Sequence, residues 1–141
     1  MKLATWNINS LTVRLPQVLD WLSANPVDVL ALQELKLTDN KFPAEAFMQA
    51  GYHAQWFGQK TYNGVALLSR APVTQVVKNI PGFQDDMARV ISATVAFDAG
   101  DIRVIGGALS MVQALTSGFK AGLTRIWSMR KPRLRRNPKS R

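Results

Sequence analysis

The chain has no cysteine, one histidine and two tyrosines among its 141 residues, and no acidic side chain after Asp101. Without cysteine there is neither a disulfide nor a thiolate, and nothing in the composition asks for an oxidising compartment. The lone histidine, His53, has no acidic neighbour in sequence, so it reads as an ordinary surface or half-buried side chain. No run approaches the roughly 18 apolar residues of a membrane span. The apolar start is broken by Asn7, Asn9 and Arg14 before a signal-peptide core could form. These absences predict a cytoplasmic protein with no membrane span.

The missing acids also divide the chain. Residues 1 to 105 hold all nine Asp and Glu together with nine of the eighteen Lys and Arg, so they balance to zero. Residues 106 to 141 hold the other nine cations and carry the whole net charge of +9. A pI near 10.5 normally points to nucleic acid or an anionic surface. Here that argument attaches to the last quarter alone. The expected organisation is a domain portion over 1–105 and a basic tail over 106–141.

Hydrophobic patterning supplies the elements. Leu3 to Ile8 reads as a buried strand, and Ser10 or Thr12 is placed to cap the following helix, with Pro16 in its first turn. Val18, Leu19 and Leu22 mark that helix's buried face, and Asn25-Pro26 ends it. Val27 to Gln33 is a second strand, mostly apolar as a strand covered on both faces should be. Strand, helix, strand within about 33 residues is a βαβ unit with parallel strands and a right-handed crossover. A shorter helix spans 42–50, opened by Pro43 and closed by Gly51. Strands at 54–57, 64–69, 73–77, 89–97 and 102–105 then alternate with turn signals, which makes the sheet mixed. Past Ile105, apolar residues from Leu109 to Ile126 fall three or four apart and predict an amphipathic helix, weakened by Gly118 and Gly122. From Arg130 the charge density and Pro132 and Pro138 predict disorder.

Chemistry concentrates where two strands end. Asn7 closes the first strand and Glu34 follows the second, and the carboxyl ends of neighbouring parallel strands share one crevice. An amide and a carboxylate meeting there offer oxygen to a hard divalent ion. The plainer alternative is that Asn7 and Asn9 cap a turn and Glu34 is a solvated loop acid.

Several blocks in register, Trp6-Asn7-Ile8-Asn9-Ser10, Asp28 to Glu34, Gly51-Tyr52, Gly58 to Ser69 and Arg89-Val90-Ile91, resemble the opening of exodeoxyribonuclease III in the endonuclease/exonuclease/phosphatase superfamily. The resemblance implies the first half of a two-sheet α/β sandwich, a mixed sheet with flanking helices, followed by a basic tail that is poorly ordered or helical. It implies DNA as the partner, phosphodiester hydrolysis at 3' ends and abasic sites in DNA repair, and Mg2+ or Mn2+ as cofactor. By position, Glu34 matches the metal-binding glutamate and Asn7 the active-site asparagine that shares the metal's surroundings. Lys36 matches a lysine near the metal, and Tyr62, Asn63 and Gly64 match a loop that approaches the DNA backbone. Leu35 stands where the family usually has threonine, a departure expected to loosen the metal's surroundings.

The resemblance stops at about Ile105. It implies a later tyrosine segment, an Asp-x-Asn motif that orients water, and an Asp-His pair, yet residues 106–141 contain no Asp, Glu, Tyr or His. The expectation is a shortened relative with weak or absent metal binding and no turnover as an isolated chain. A shift of reading frame near the codon for Ile105 would produce such a break. Leaving the first sheet without its covering partner would expose apolar area and promote self-association. The alternative function is a non-catalytic module that binds nucleic acid or an anionic surface through Arg130, Lys131, Arg133, Arg135 and Arg136.

Overall fold

A computed structural model describes residues 1–108, together with the backbone of 111–115 and 125–129. Strand β1 (Lys2–Asn7) leads into helix α1 (Leu11–Ala24) and returns as β2 (Val29–Gln33). The two strands pair in parallel, Leu3 opposite Val29 and Asn7 opposite Gln33. A 3₁₀ turn at Asp39–Lys41 and helix α2 (Ala44–Gln49) precede a run of strands: β3 (His53–Phe57), β4 (Val65–Ser69), β5 (Val73–Lys78), β6 (Val90–Phe97) and β7 (Gly100–Gly107). Two further strands, β8 (Met111–Leu115) and β9 (Arg125–Met129), complete the described elements.

The strands form two sheets. One runs β3-β4-β2-β1-β9 and the other β5-β6-β7-β8. In the first, β2 is parallel to β1 and antiparallel to β4, which makes the sheet mixed. Every residue of β2 and β4 is buried, because both faces of this sheet are covered. On the outer face, Val18 and Leu22 of α1 and Phe47 of α2 pack with Ala4, Leu30, Leu32, Ala66 and Leu68. On the inner face, Leu3, Val29, Ala31, Val65 and Leu67 meet Ile91, Ala93, Val95, Ile102 and Val104 of the second sheet. Gly106 brings the sheets close together, since a Cβ there would stand 3.1 Å from Leu67 Cδ2 and 3.5 Å from Ala31 Cβ.

Four expectations need correction. The first sheet does not lose its cover: the chain's own β5 to β8 form the second sheet, so the area whose exposure would drive self-association is buried between the two. The segment expected to be one helix between Leu109 and Ile126 instead contributes strands at 111–115 and 125–129. Short apolar runs fit either period, and here pairing decides: β8 adds antiparallel to β7 and β9 adds parallel to β1. Pro16 lies in the second turn of α1 rather than the first, where it withholds one helical N–H. Ser10 is the N-cap residue but makes no side-chain cap, and the amides of Ser10 and Leu11 donate instead to the carbonyls of Glu34 and Leu35 at 2.8 and 3.0 Å. The disorder expected from Arg130 onward lies outside the described residues. No described helix is long and apolar enough to cross a membrane.

Candidate functional site

The site forms where β1 and β2 end. Parallel pairing places Asn7 beside Gln33, so the chain must turn sharply just past both to enter α1 on one side and the 3₁₀ segment on the other. These turns are left-handed at residues that rarely accept it: φ is 48° at Asn9, 93° at Ser10, 55° at Glu34 and 55° at Lys36. The neighbouring loop adds Thr61 at 74° and Asn63 at 43°. Asparagine tolerates this geometry, whereas Ser, Glu, Lys and Thr each give up of the order of 1 kcal/mol or more to hold it. Six such residues in three adjoining loops mark a place where the surrounding structure overrides local preference.

Backbone hydrogen bonds supply that override. Ile8, Ser10 and Leu11 donate to the carbonyls of Gln33, Glu34 and Leu35. From the other side, Leu35 donates to the Gly64 carbonyl and Lys36 to the Asn63 carbonyl, each at 3.2 Å. Leu35, fully buried in the outer core, anchors the turn from below. Beneath the site, the buried Gln33 amide donates to the Thr5 hydroxyl at 2.9 Å and pins β2 to β1.

The side chains above this frame form one chain of contacts. Asn7 Nδ2 donates to Glu34 Oε1 at 2.8 Å, which leaves the amide oxygen of Asn7 as an acceptor. The Lys36 ammonium lies 3.8 Å from Glu34 Oε2, beyond hydrogen-bond reach. That ammonium donates instead to Asn9 Oδ1 at 2.5 Å. Glu34 and Lys36 remain 39% and 30% exposed, so a ligand can reach them. An amide, a half-exposed carboxylate and an ammonium side by side can receive a hard cation and the phosphate it accompanies.

Asn7, Glu34 and Lys36 therefore come together, and the backbone of Asn63 and Gly64 is bonded directly to the same turn. Tyr62 stands 70% exposed in that loop. His53 is exposed at the start of β3. Arg130, Lys131, Arg133, Arg135 and Arg136 lie outside the described residues. Among the described residues, no three His, Asp or Glu side chains gather as a metal cluster.

Two residues escaped the sequence reading. Asn9 carries only a turn-capping expectation in the sequence, and the left-handed turn past β1 that brings its side chain to Lys36 is not written in its spacing from Asn7. Gln59 was part of a matching block without a role. Its Oε1 accepts from Asn63 Nδ2 at 3.2 Å and from the Ala88 amide at 3.0 Å, so it ties the Asn63 loop to the entry of β6. Nothing in its local sequence announces that function.

Comparisons with known proteins point the same way. The family model described as "Endonuclease/Exonuclease/phosphatase family" matches residues 4–140. Exodeoxyribonuclease III of Haemophilus influenzae is 35% identical over 108 residues, 76% of this chain and 40% of that protein. The structure of the 3' phosphatase NExo from Neisseria, bound to product DNA hairpin, is 53% identical with a TM-score of 0.69, covering 74% of this chain and 40% of that one. An AP endonuclease from Archaeoglobus fulgidus is 38% identical with a TM-score of 0.65, covering 68% of this chain and 37% of that one. The chain thus spans about two fifths of the length of the relatives it matches.

Proposed function

Because this chain belongs to the Endonuclease/Exonuclease/phosphatase family, we propose that it carries the first half of a divalent-cation-dependent DNA phosphodiesterase site, of the exodeoxyribonuclease III and AP endonuclease kind. The observation that supports this most directly is the Asn7 to Glu34 hydrogen bond, made across the ends of two parallel strands and beside the Lys36 ammonium.

Glu34 and Asn7 would hold Mg2+ or Mn2+. Their donors fit: one carboxylate and one amide oxygen are hard ligands, and magnesium commonly takes one or two carboxylates and fills its shell with water and substrate phosphate. When bound, such an ion polarises a phosphoryl oxygen and offsets the charge that develops there. The chain's own residues do the rest of what this half can do. Asn7 orients the Glu34 carboxylate by donating to one of its oxygens. Lys36 adds a positive charge at the same edge, suited to a phosphate oxygen. The loop Tyr62-Asn63-Gly64, fixed to the turn by its backbone, is the surface we assign to the DNA strand.

Hydrolysis also needs a group that positions and deprotonates water, and the family blocks expected to supply one are not found in this sequence. Residues 106–141 hold no Asp, Glu, His or Tyr, and among the described residues no three His, Asp or Glu side chains gather around a common point. Positioning and general base catalysis each supply about 10²-fold or more. We therefore propose that these 141 residues alone bind Mg2+ weakly and turn over no substrate. The nine cations of 106–141 supply a separate, charge-driven attraction to DNA.

The test is a cleavage assay on nicked and abasic duplexes with Mg2+ or Mn2+. The wild-type chain is expected to match an Asn7→Ala/Glu34→Gln variant at background. Turnover by the wild type that the double variant lacks would overturn the proposed inactivity and assign the chemistry to this pair.

A further inference from the structure

The Lys36 ammonium faces two acceptors of unequal appeal. Glu34 is a carboxylate, the stronger partner for a cation, and Asn9 is a neutral amide. Yet the ammonium bonds to Asn9 Oδ1 at 2.5 Å and stands off Glu34 Oε2 at 3.8 Å. Both side chains project from left-handed positions, φ 48° at Asn9 and 55° at Lys36, held by the backbone bonds that join the two turns. The frame thus sets where the two side chains start, and the contact with Asn9 sets where the ammonium rests.

We propose that Asn9 is a positioning residue that acts through Lys36: it holds the ammonium off Glu34, so that Oε2 stays open to a divalent cation. The inference rests on the reading of Glu34 as the cation-binding carboxylate. Asn7 already occupies Oε1, so Oε2 is the oxygen left to decide the matter. If Lys36 closed onto it as a direct ion pair, each carboxylate oxygen would carry a partner and an incoming cation would have to compete with a positive charge. Latched to Asn9, the same ammonium stays within a few ångströms of the site, where a phosphate can use it, without blocking the carboxylate.

The experiment uses the full chain and Mn2+ alone as probe, reading paramagnetic broadening of amide resonances around residue 34. Asn9→Gly removes the acceptor and suits the left-handed backbone. It is expected to weaken Mn2+ binding about two- to fivefold, the size of a partly exposed ion pair. Lys36→Met alone should not weaken it, and Asn9→Gly in the Lys36→Met background should have no further effect. A second readout needs no metal: the ¹⁵N resonance of the Lys36 ammonium should move in Asn9→Gly, and adding Glu34→Gln should abolish that movement.

Equal losses with and without Lys36 would overturn the proposal, because Asn9 would then act directly or through the fold. An unmoved Lys36 resonance in Asn9→Gly would overturn it as well. Broadening that is absent in the wild type, or that survives Glu34→Gln, instead removes the cation reading of Glu34. The ammonium resonance then decides by itself whether Asn9 holds Lys36.

Discussion

Gly64 is pressed against Leu35: a Cβ built on the glycine would stand 2.9 Å from Leu35 Cβ, and the Leu35 amide donates to the Gly64 carbonyl at 3.2 Å. The glycine also has φ of 86°. It lets the Tyr62-Asn63 loop lie directly on the turn that carries Glu34. Gly64→Ala would incur left-handed strain and a backbone-level clash together. We expect a loss of about 2–3 kcal/mol in denaturant unfolding. An unchanged midpoint would mean that the two loops are not held together as described.

The contact between the sheets is equally specific. Gly106 is buried in β7, with Leu67 Cδ2 at 3.1 Å and Ala31 Cβ at 3.5 Å from where its Cβ would lie. Gly106→Val should destabilise by about 1–3 kcal/mol through overpacking. Combined with Leu67→Ala, which clears the nearest atom, the double variant should be more stable than the sum of the two single losses predicts. Strict additivity would argue against the close approach of the sheets at this point.

Tyr52 gives a prediction in pH. Its hydroxyl donates to the Val27 carbonyl at 2.9 Å, and the residue is buried in the outer core. Burial raises its pKa above the ordinary value of 10.0, with Asp28 raising it further and Arg70 opposing. The unfolded chain then loses its phenolic proton before the folded one does, so the folded state binds more protons above about pH 10. The stability Tyr52 contributes is fully present below pH 10 and is lost as pH rises past it. Tyr52→Phe should cost about 1 kcal/mol at neutral pH through the lost hydrogen bond and flatten the alkaline decline. A wild type and a Phe variant with parallel pH profiles would refute this.

The sequence made the outer layer of this fold readable, and the reason is local. Val18, Leu19 and Leu22 declare α1 by spacing, Asn25-Pro26 stops it, and the continuous apolar run of β2 declares a strand covered on both faces. Pro43 and Gly51 bracket α2 as expected. What stayed hidden was non-local. Nothing within Met111–Leu115 or Arg125–Met129 says that one strand joins β7 and the other β1 across the molecule, and apolar spacings of three and four there favour a helix. The site divides in the same way. Asn7 and Glu34 could be placed at strand ends from pattern alone, but the latch of Lys36 on Asn9 depends on backbone angles that neither Lys nor Glu advertises. Gln59 reaches residues 4 and 29 positions away, a connection that only the folded chain makes.

The basic tail predicts a salt dependence that separates it from the site. Between Arg130 and Arg141 lie seven cations and no acid, and each one placed on a DNA phosphate contributes about 0.9 to the slope of log affinity against log salt. Duplex binding by the whole chain should therefore weaken steeply as salt rises. Replacing all seven with glutamine should lower the slope by several units while leaving the Glu34-dependent Mn2+ response in place. Glu34→Gln should do the reverse, abolishing the Mn2+ response with the slope retained. If the glutamine variant kept the full slope, phosphate attraction would have to come from residues 1–129, and the cluster from Arg130 onward would lose its proposed part in holding DNA.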